Sequence, residues 1–261
     1  MARTLAVANQ KGGVGKTTTS VNLAASLALA GKRVLLVDLD PQGNATMGSG
    51  IDKRRLARTV YHVLLGLGEV ADIRTRAEAA GYDLVPANRE LAGAEVELVG
   101  LPNREGRLRA ALGALDGEYD HVVIDCPPAL SLLTVNAFAA AAEVLIPMQC
   151  EYYALEGLSD LVGTIKRVRA HLNPRLEIAG LLRTMYDPRN ALSHQVSQQL
   201  ETHFGDKVYR TLVPRNVRLA EAPSFGAPAV LWDRSSKGAQ AYLALAEELL
   251  ARERAALGAM A

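Results

Sequence analysis

A chain of 261 residues, 49% apolar and 22% charged, has the makings of a globular α/β protein with its own core. A net charge of +1 excludes a polycation, so any nucleic-acid contact must come from a local patch. The two cysteines, Cys126 and Cys150, and the spacing of the five histidines exclude a disulfide framework, a CxxC metal pair and an HExxH site.

The N-terminus, MARTLAVANQ, runs straight into a glycine-rich stretch. A cleaved signal peptide would take that stretch with it, and no run approaches the roughly 18 apolar residues of a membrane span. A cytoplasmic location is expected. The first predicted strand, Leu5–Ala8, leads into KGGVGKTT at 11–18, and a helical pattern, Lys16–Ala30, follows. A glycine-rich turn between strand and helix points backbone N–H groups at phosphate oxygens, and the helix adds its N-terminal partial charge. Gly12, Gly13, Val14 and Gly15 form this loop. Lys16 is expected at the β- and γ-phosphates, Thr17 at magnesium and Thr18 at the α-phosphate, which makes a phosphate-rich nucleotide with Mg2+ the expected ligand. One feature departs from G-x-x-x-x-G-K-[ST]: the position five before Gly15 is Gln10, and a second lysine, Lys11, stands beside it.

The second predicted strand, Arg33–Val37, ends in DLDPQGNAT, which places Asp38 and Asp40 at its C-terminal end. Of two carboxylates there, one can support the magnesium shell and the other can orient the attacking water. Helix Thr59–Leu65, strand Tyr82–Val85 and helices Glu90–Val99 and Glu105–Leu115 come next. Strand His121–Ile124 runs into IDCPP, where Asp125 reads as a strand-end carboxylate facing the metal. Helix Ser131–Ala141, strand Glu143–Pro147, helix Glu156–His171, strand Glu177–Leu182, helix Ala191–Phe204, strand Val208–Val213 and helix Gly238–Leu257 complete the chain. Strand alternating with helix predicts a doubly wound, mostly parallel sheet flanked by helices, with ligands at the C-terminal strand ends. No linker or internal repeat divides the sequence, so a single domain, 1–261, is expected.

KGGVGKT together with DLDPQGN (38–44), IDCPP (124–128), EYYALEGL (151–158), TMYDPR (184–189) and PRNVRLAEAPSFG (214–226) resembles the ParA/Soj family of P-loop ATPases with a deviant Walker A motif. The resemblance spans about residues 3 to 250. It implies that the nucleotide is ATP, and an ATP-dependent sandwich homodimer in which Lys11 reaches phosphates bound by the partner subunit, as an arginine finger does in trans. It implies that Asp40 serves hydrolysis, that Asp38, Asp125 and Thr17 serve the metal, and that Pro214 and Asn216 contact adenine. It further implies non-sequence-specific binding of double-stranded DNA and a ParB/Spo0J-type centromere-binding partner that accelerates slow hydrolysis. The location implied is the nucleoid, and the role is chromosome or plasmid segregation.

The means for DNA contact are visible as Lys207, Arg210, Arg215 and Arg218, a run without an acidic residue, flanked by Arg189. Arg189 and Arg218 match the family's DNA-contacting arginines. No recognition-helix or zinc-finger signature is present, so sequence reading is not expected. Because the loop begins at residue 11, the N-terminal DNA-reading domain of longer plasmid relatives is expected to be absent. The alternative is a MinD-like membrane-cycling ATPase of division-site placement. That role needs a basic amphipathic C-terminal helix, whereas AEELLARERAALGAMA mixes its charges. An iron–sulfur role lacks the cysteine context, and a dethiobiotin-synthetase-like ligase lacks a recognisable carboxylation site.

Overall fold

The computed structural model describes residues 2–151 and 154–258. Its strands are β1 (Arg3–Val7), β2 (Val34–Asp38), β3 (Thr75–Ala77), β4 (Tyr82–Val85), β5 (His121–Asp125), β6 (Glu143–Gln149), β7 (Glu177–Tyr186) and β8 (Val208–Pro214). Its helices are α1 (Lys16–Leu29), α2 (Asn44–Gly48), α3 (Val60–Leu65), α4 (Val70–Ile73), α5 (Leu91–Glu97), α6 (Arg107–Gly113), α7 (Leu132–Ala140), α8 (Ala154–His171), α9 (Ala191–Phe204), α10 (Val217–Glu221), α11 (Ala229–Trp232) and α12 (Lys237–Gly258). The strands form one sheet in the order β3-β4-β2-β5-β1-β6-β7-β8. Among these pairs, only β3–β4 is antiparallel.

Both faces of the sheet are buried, which is why its central strands are apolar at nearly every position. Along β1, Leu5 and Val7 join one core with Leu23 and Leu27 of α1 and Tyr242 and Leu245 of α12. Ala6 joins the other, with Phe138 of α7, Leu161 of α8 and Leu200 of α9. The predicted doubly wound α/β architecture is therefore the observed one.

The elements that the sequence does not announce are short or lie at an edge. Helices α2, α4, α10 and α11 have only four or five residues each, too few for a 3.6-residue period to register. Strand β3 is an edge strand with two of its three residues exposed. Strands β6 and β7 run past their predicted ends, to Gln149 and Tyr186, because Gln149 and Thr184 pair in register beside the phosphate loop. Within the 151–158 segment, Tyr152 and Tyr153 lie outside the described residues.

The outer edge of β8 is closed by α12. Glu248 accepts from the Arg210 and Thr211 backbone N–H groups at 2.9 Å each, and Arg252 donates to Val208 O at 3.0 Å. These bonds satisfy groups that would otherwise template further pairing.

Candidate functional site

Strand β1 lies between β5 and β6, and its C-terminal end opens into the loop 8–15. Gly13 and Gly15 have φ of 74° and 89°, the left-handed region that other residues avoid. Beyond its chain neighbours no heavy atom lies within 4 Å of where a Cβ on Gly12 or Gly13 would stand, and both glycines are exposed, so the loop is open to solvent there. A loop that turns its N–H groups inward must turn carbonyls outward, and those need donors. Thr184 Oγ1 donates to Val14 O at 2.8 Å, and Gln149 Nε2 approaches Gly13 O at 3.5 Å. Lys16 is buried, and its ammonium donates to Lys11 O at 3.2 Å. Burial lowers its pKa, against the pull of Asp125 and Asp40.

Thr184→Val removes a buried donor at nearly constant shape, a change worth about 1–3 kcal/mol. Nucleoside-triphosphate affinity, measured by calorimetry, is expected to fall roughly tenfold or more. Thr184→Ser is expected to restore most of it. Equal affinity for the valine variant and wild type would contradict this role.

Asp38 and Asp125 end adjacent strands and face each other in register. Both are fully buried. Asp125 accepts from Thr17 Oγ1 and Ser20 Oγ, each at 2.8 Å. Asp38 accepts from Thr46 N at 2.8 Å, Thr46 Oγ1 at 2.7 Å and Asp40 N at 3.2 Å. Asp40, 8% exposed, accepts from Gln42 N at 2.8 Å. Burial pushes Asp125 up to about 8, and repulsion from Asp38 adds to the rise. Burial also pushes Asp38 up, against the Thr46 hydrogen bonds. Desolvated carboxylates beside a buried ammonium and an open phosphate cradle fit a divalent cation shared with phosphate oxygens. Among the described residues no three His, Cys, Asp or Glu side chains form a metal cage of their own, so such a cation would depend on those phosphates.

The Asp125 shift has a consequence for stability. In the ligand-free fold burial and the neighbouring Asp38 hold the carboxyl protonated well above the usual carboxylate range, where the unfolded chain has already lost that proton. The native state therefore binds the extra proton in this window, and stability falls as pH rises through it. Asp125→Asn removes that loss. The melting-temperature difference between variant and wild type, without nucleotide or metal, is expected to grow in the variant's favour as pH rises above the usual carboxylate range. Parallel profiles would contradict the assignment.

Lys11 stands apart from this cradle. Its backbone N–H donates to Asn9 Oδ1 at 3.0 Å. Its side chain is 46% exposed and forms an ion pair with Glu151, itself half-exposed. The ammonium is thus exposed and held by Glu151, while the buried Lys16 ammonium donates to the Lys11 carbonyl.

The predicted basic residues divide between two ends of the sheet. Lys207 precedes β8 and lies 3.9 Å from Glu177 at the start of β7, the end remote from the phosphate loop. Arg210 projects from the middle of β8, into a groove shared with His194 and Arg252. Arg189, Arg215 and Arg218 lie at the C-terminal strand ends, on the same edge as the loop. Arg189 is 89% exposed and pairs with Asp187 at 2.9 Å, and Arg215 is close enough to act on the same carboxylate. Arg218 pairs with Glu221 at 3.0 Å and Asp233 at 3.3 Å. Pro214 ends β8, and Asn216 caps α10 by accepting from Arg218 N at 2.9 Å and Leu219 N at 3.3 Å. A cleft lined by Thr17, Thr18, Met47, Leu219 and Pro223 opens beside the start of α1.

Residues 2–178 match the model of a family described as an AAA domain. The chain is 55% identical over 254 residues to the chromosome partitioning protein ParA of Caulobacter vibrioides, covering 97% of this chain and 95% of that one. It is 55% identical over 251 residues to the sporulation initiation inhibitor protein Soj of Bacillus subtilis, covering 96% and 99%. The chain belongs to the ParA/Soj family of chromosome-partitioning ATPases. Among solved structures, cobyrinic acid a,c-diamide synthase from Mycobacterium smegmatis with bound ADP and magnesium superposes with a TM-score of 0.86. It is 42% identical, with 97% of this chain and 96% of that one covered.

In this ParA/Soj-family chain, sequence reasoning missed the residues that hold the site rather than line it. Thr46 ties Asp38 to Ala87 N, from which its hydroxyl accepts at 3.0 Å. Ser20 holds Asp125, and Thr184 and Gln149 hold the loop carbonyls. For Ser20 a signal was available: it lies one helical turn after Lys16, on the side of α1 that faces the loop. For Thr184 and Gln149 there was none, because they come from distant strands.

Proposed function

We propose that this chain binds magnesium ATP, forms an ATP-dependent sandwich homodimer, and in that state binds double-stranded DNA without sequence preference. In this reading it segregates replicated origins together with a ParB/Spo0J-type partner. When bound, magnesium ATP supplies the phosphoryl group whose hydrolysis resets the cycle. Backbone N–H groups of Gly12 to Thr17 and the Lys16 ammonium hold the phosphates. Thr17 and Asp125, hydrogen-bonded to each other, would hold the metal, and Asp38, bonded to Thr46, would support them one step back. Asp40 orients the attacking water. Lys11 exchanges Glu151 for phosphate in the partner subunit.

The observation that carries this reading is the position of Lys11. It stands exposed at the rim of an open phosphate cradle that already has its own buried lysine, on the sheet edge that also bears Arg189, Arg215 and Arg218. A MinD-like membrane role is disfavoured by α12, whose Tyr242, Leu245, Ala246 and Leu249 are buried in the core and so not free for lipid. An amide-forming ligase, raised by the name of the Mycobacterium smegmatis structure, requires turnover of a carboxylate acceptor. ATP hydrolysis without any acceptor separates the two.

The test is Arg218→Glu, alone and with Arg189→Glu. The double variant is expected to lose salt-sensitive DNA binding, by roughly a hundredfold or more at moderate salt, and to keep ATP-dependent dimerisation. Loss of dimerisation as well would assign these arginines to the subunit interface.

A further inference from the structure

The segment after Asn216 exposes apolar side chains that the reading above leaves without a task. Val217 is 69% exposed and Phe225 63%. The Phe225 ring stacks on Trp232, with centroids 4.6 Å apart and planes 20° from parallel. The Arg218 guanidinium lies over the same indole, 5.5 Å from its centroid. The exposed Phe225 ring and the indole it stacks on form one apolar surface, with Val217 exposed on the same segment, and exposed apolar surface of this kind marks a contact made part of the time.

Phe225 belongs to the turn 222–225, which packs against the helix that follows the 38–43 loop. Helix α2 follows directly on the 38–43 loop and packs against residues 222–226. Just after α2 the chain approaches this turn so closely that a Cβ on Gly50 would come within 2.8 Å of Gly226 O. Met47 of α2 and Pro223 line one cleft with Thr17 and Thr18. The turn that carries Phe225 therefore packs directly on α2.

Charge selects the occupant. Residues 214–237 carry Arg215, Arg218, Arg234 and Lys237 against Glu221 and Asp233, a net of +2, and of these Arg218 lies over the Trp232 indole and pairs with both carboxylates. A two-fold contact of the patch with its own copy would set these cations against each other. A polyanion complements them.

We infer that Val217 and Phe225 are apolar contacts to duplex DNA, laid against sugar and base edges between phosphates taken by Arg215 and Arg218. Apolar side chains beside arginines serve this purpose where a protein grips a duplex through backbone and shape. Trp232 is the platform that sets both Phe225 and the Arg218 guanidinium. The inference rests on the DNA-binding function proposed above and adds a part of the contact that salt does not govern.

The experiment is a salt series of ATP-dependent binding to a mixed-sequence duplex. It compares wild type with Val217→Ser/Phe225→Ala, Phe225→Leu and Arg218→Ala. The double variant is expected to bind about tenfold or more weaker at every salt concentration, with the slope of log affinity against log salt unchanged. Phe225→Leu is expected to recover part of the loss. Arg218→Ala is expected to flatten the slope, by about one for each phosphate that is no longer neutralised. Wild-type affinity in the double variant would overturn the inference and leave the DNA-binding function standing. Loss of the ATP-dependent dimer in the double variant, measured without DNA, would overturn it in favour of self-association. Absence of DNA binding by wild type would overturn the function itself.

Discussion

Lys11→Ala is expected to separate nucleotide binding from everything that follows it. The side chain is half-exposed, and its polar partner within the subunit is Glu151. Losing an exposed pair of this kind costs the fold about 0–1 kcal/mol, so the variant should fold. Lys16, the loop glycines and Thr17 are untouched, and ATP affinity of the monomer is expected to stay within about threefold of wild type. The proposed partner phosphate, however, loses its cation. Removal of a charge supplied in trans is expected to reduce hydrolysis by roughly 10³-fold. Dimerisation and DNA binding are expected to fall with it. Ultracentrifugation with a non-hydrolysable analogue reads the dimer directly. A Lys11→Ala protein that dimerises normally would show that the lysine acts within its own subunit.

The second large effect is expected from Asp40→Ala, in the opposite direction for DNA. The Asp40 backbone donates to Asp38 Oδ1 at 3.2 Å and accepts from Gly43 N at 2.8 Å, and alanine keeps both bonds. Only the side-chain bond from Gln42 N is removed, near the surface. The loop should therefore persist while the group proposed to orient water is gone. Hydrolysis is expected to drop by about 10²–10⁴-fold, with ATP affinity little changed. The ATP dimer should then accumulate on DNA instead of cycling off. Slow release in a dissociation assay, with phosphate production near background, is the expected pair of readings. Fast release without hydrolysis would detach DNA binding from the nucleotide state.

How far such expectations could be drawn from sequence depends on the range of the interactions involved. The cradle was legible because Gly12 to Thr18 are contiguous and lie between a strand and a helix. Asp125 and Asp38 were legible because each ends an apolar strand. The doubly wound sheet followed from the strand–helix alternation, apart from β3, whose exposed residues carry no periodic signal. What stayed hidden was the support at long sequence separation: Thr184 reaches Val14 across 170 positions and Ser20 reaches Asp125 across 105. The run Lys207 to Arg218 is divided in space for the converse reason. Its residues are neighbours in sequence, but a strand carries them the length of the sheet, so Lys207 and Arg218 end at opposite edges. Charges grouped by sequence become one surface only where the chain turns back, as it does at Arg215 and Arg218.

The central claim is that ATP held at the phosphate loop switches on DNA binding. It is tested most directly by titrating one mixed-sequence duplex with wild type, Lys16→Ala and Asp40→Ala in parallel, each with and without magnesium ATP. Wild type is expected to bind only with ATP and to release as ATP is consumed. Lys16→Ala should not bind in either condition, and Asp40→Ala should bind with ATP and remain bound. Equal binding by all three proteins without nucleotide would contradict the account.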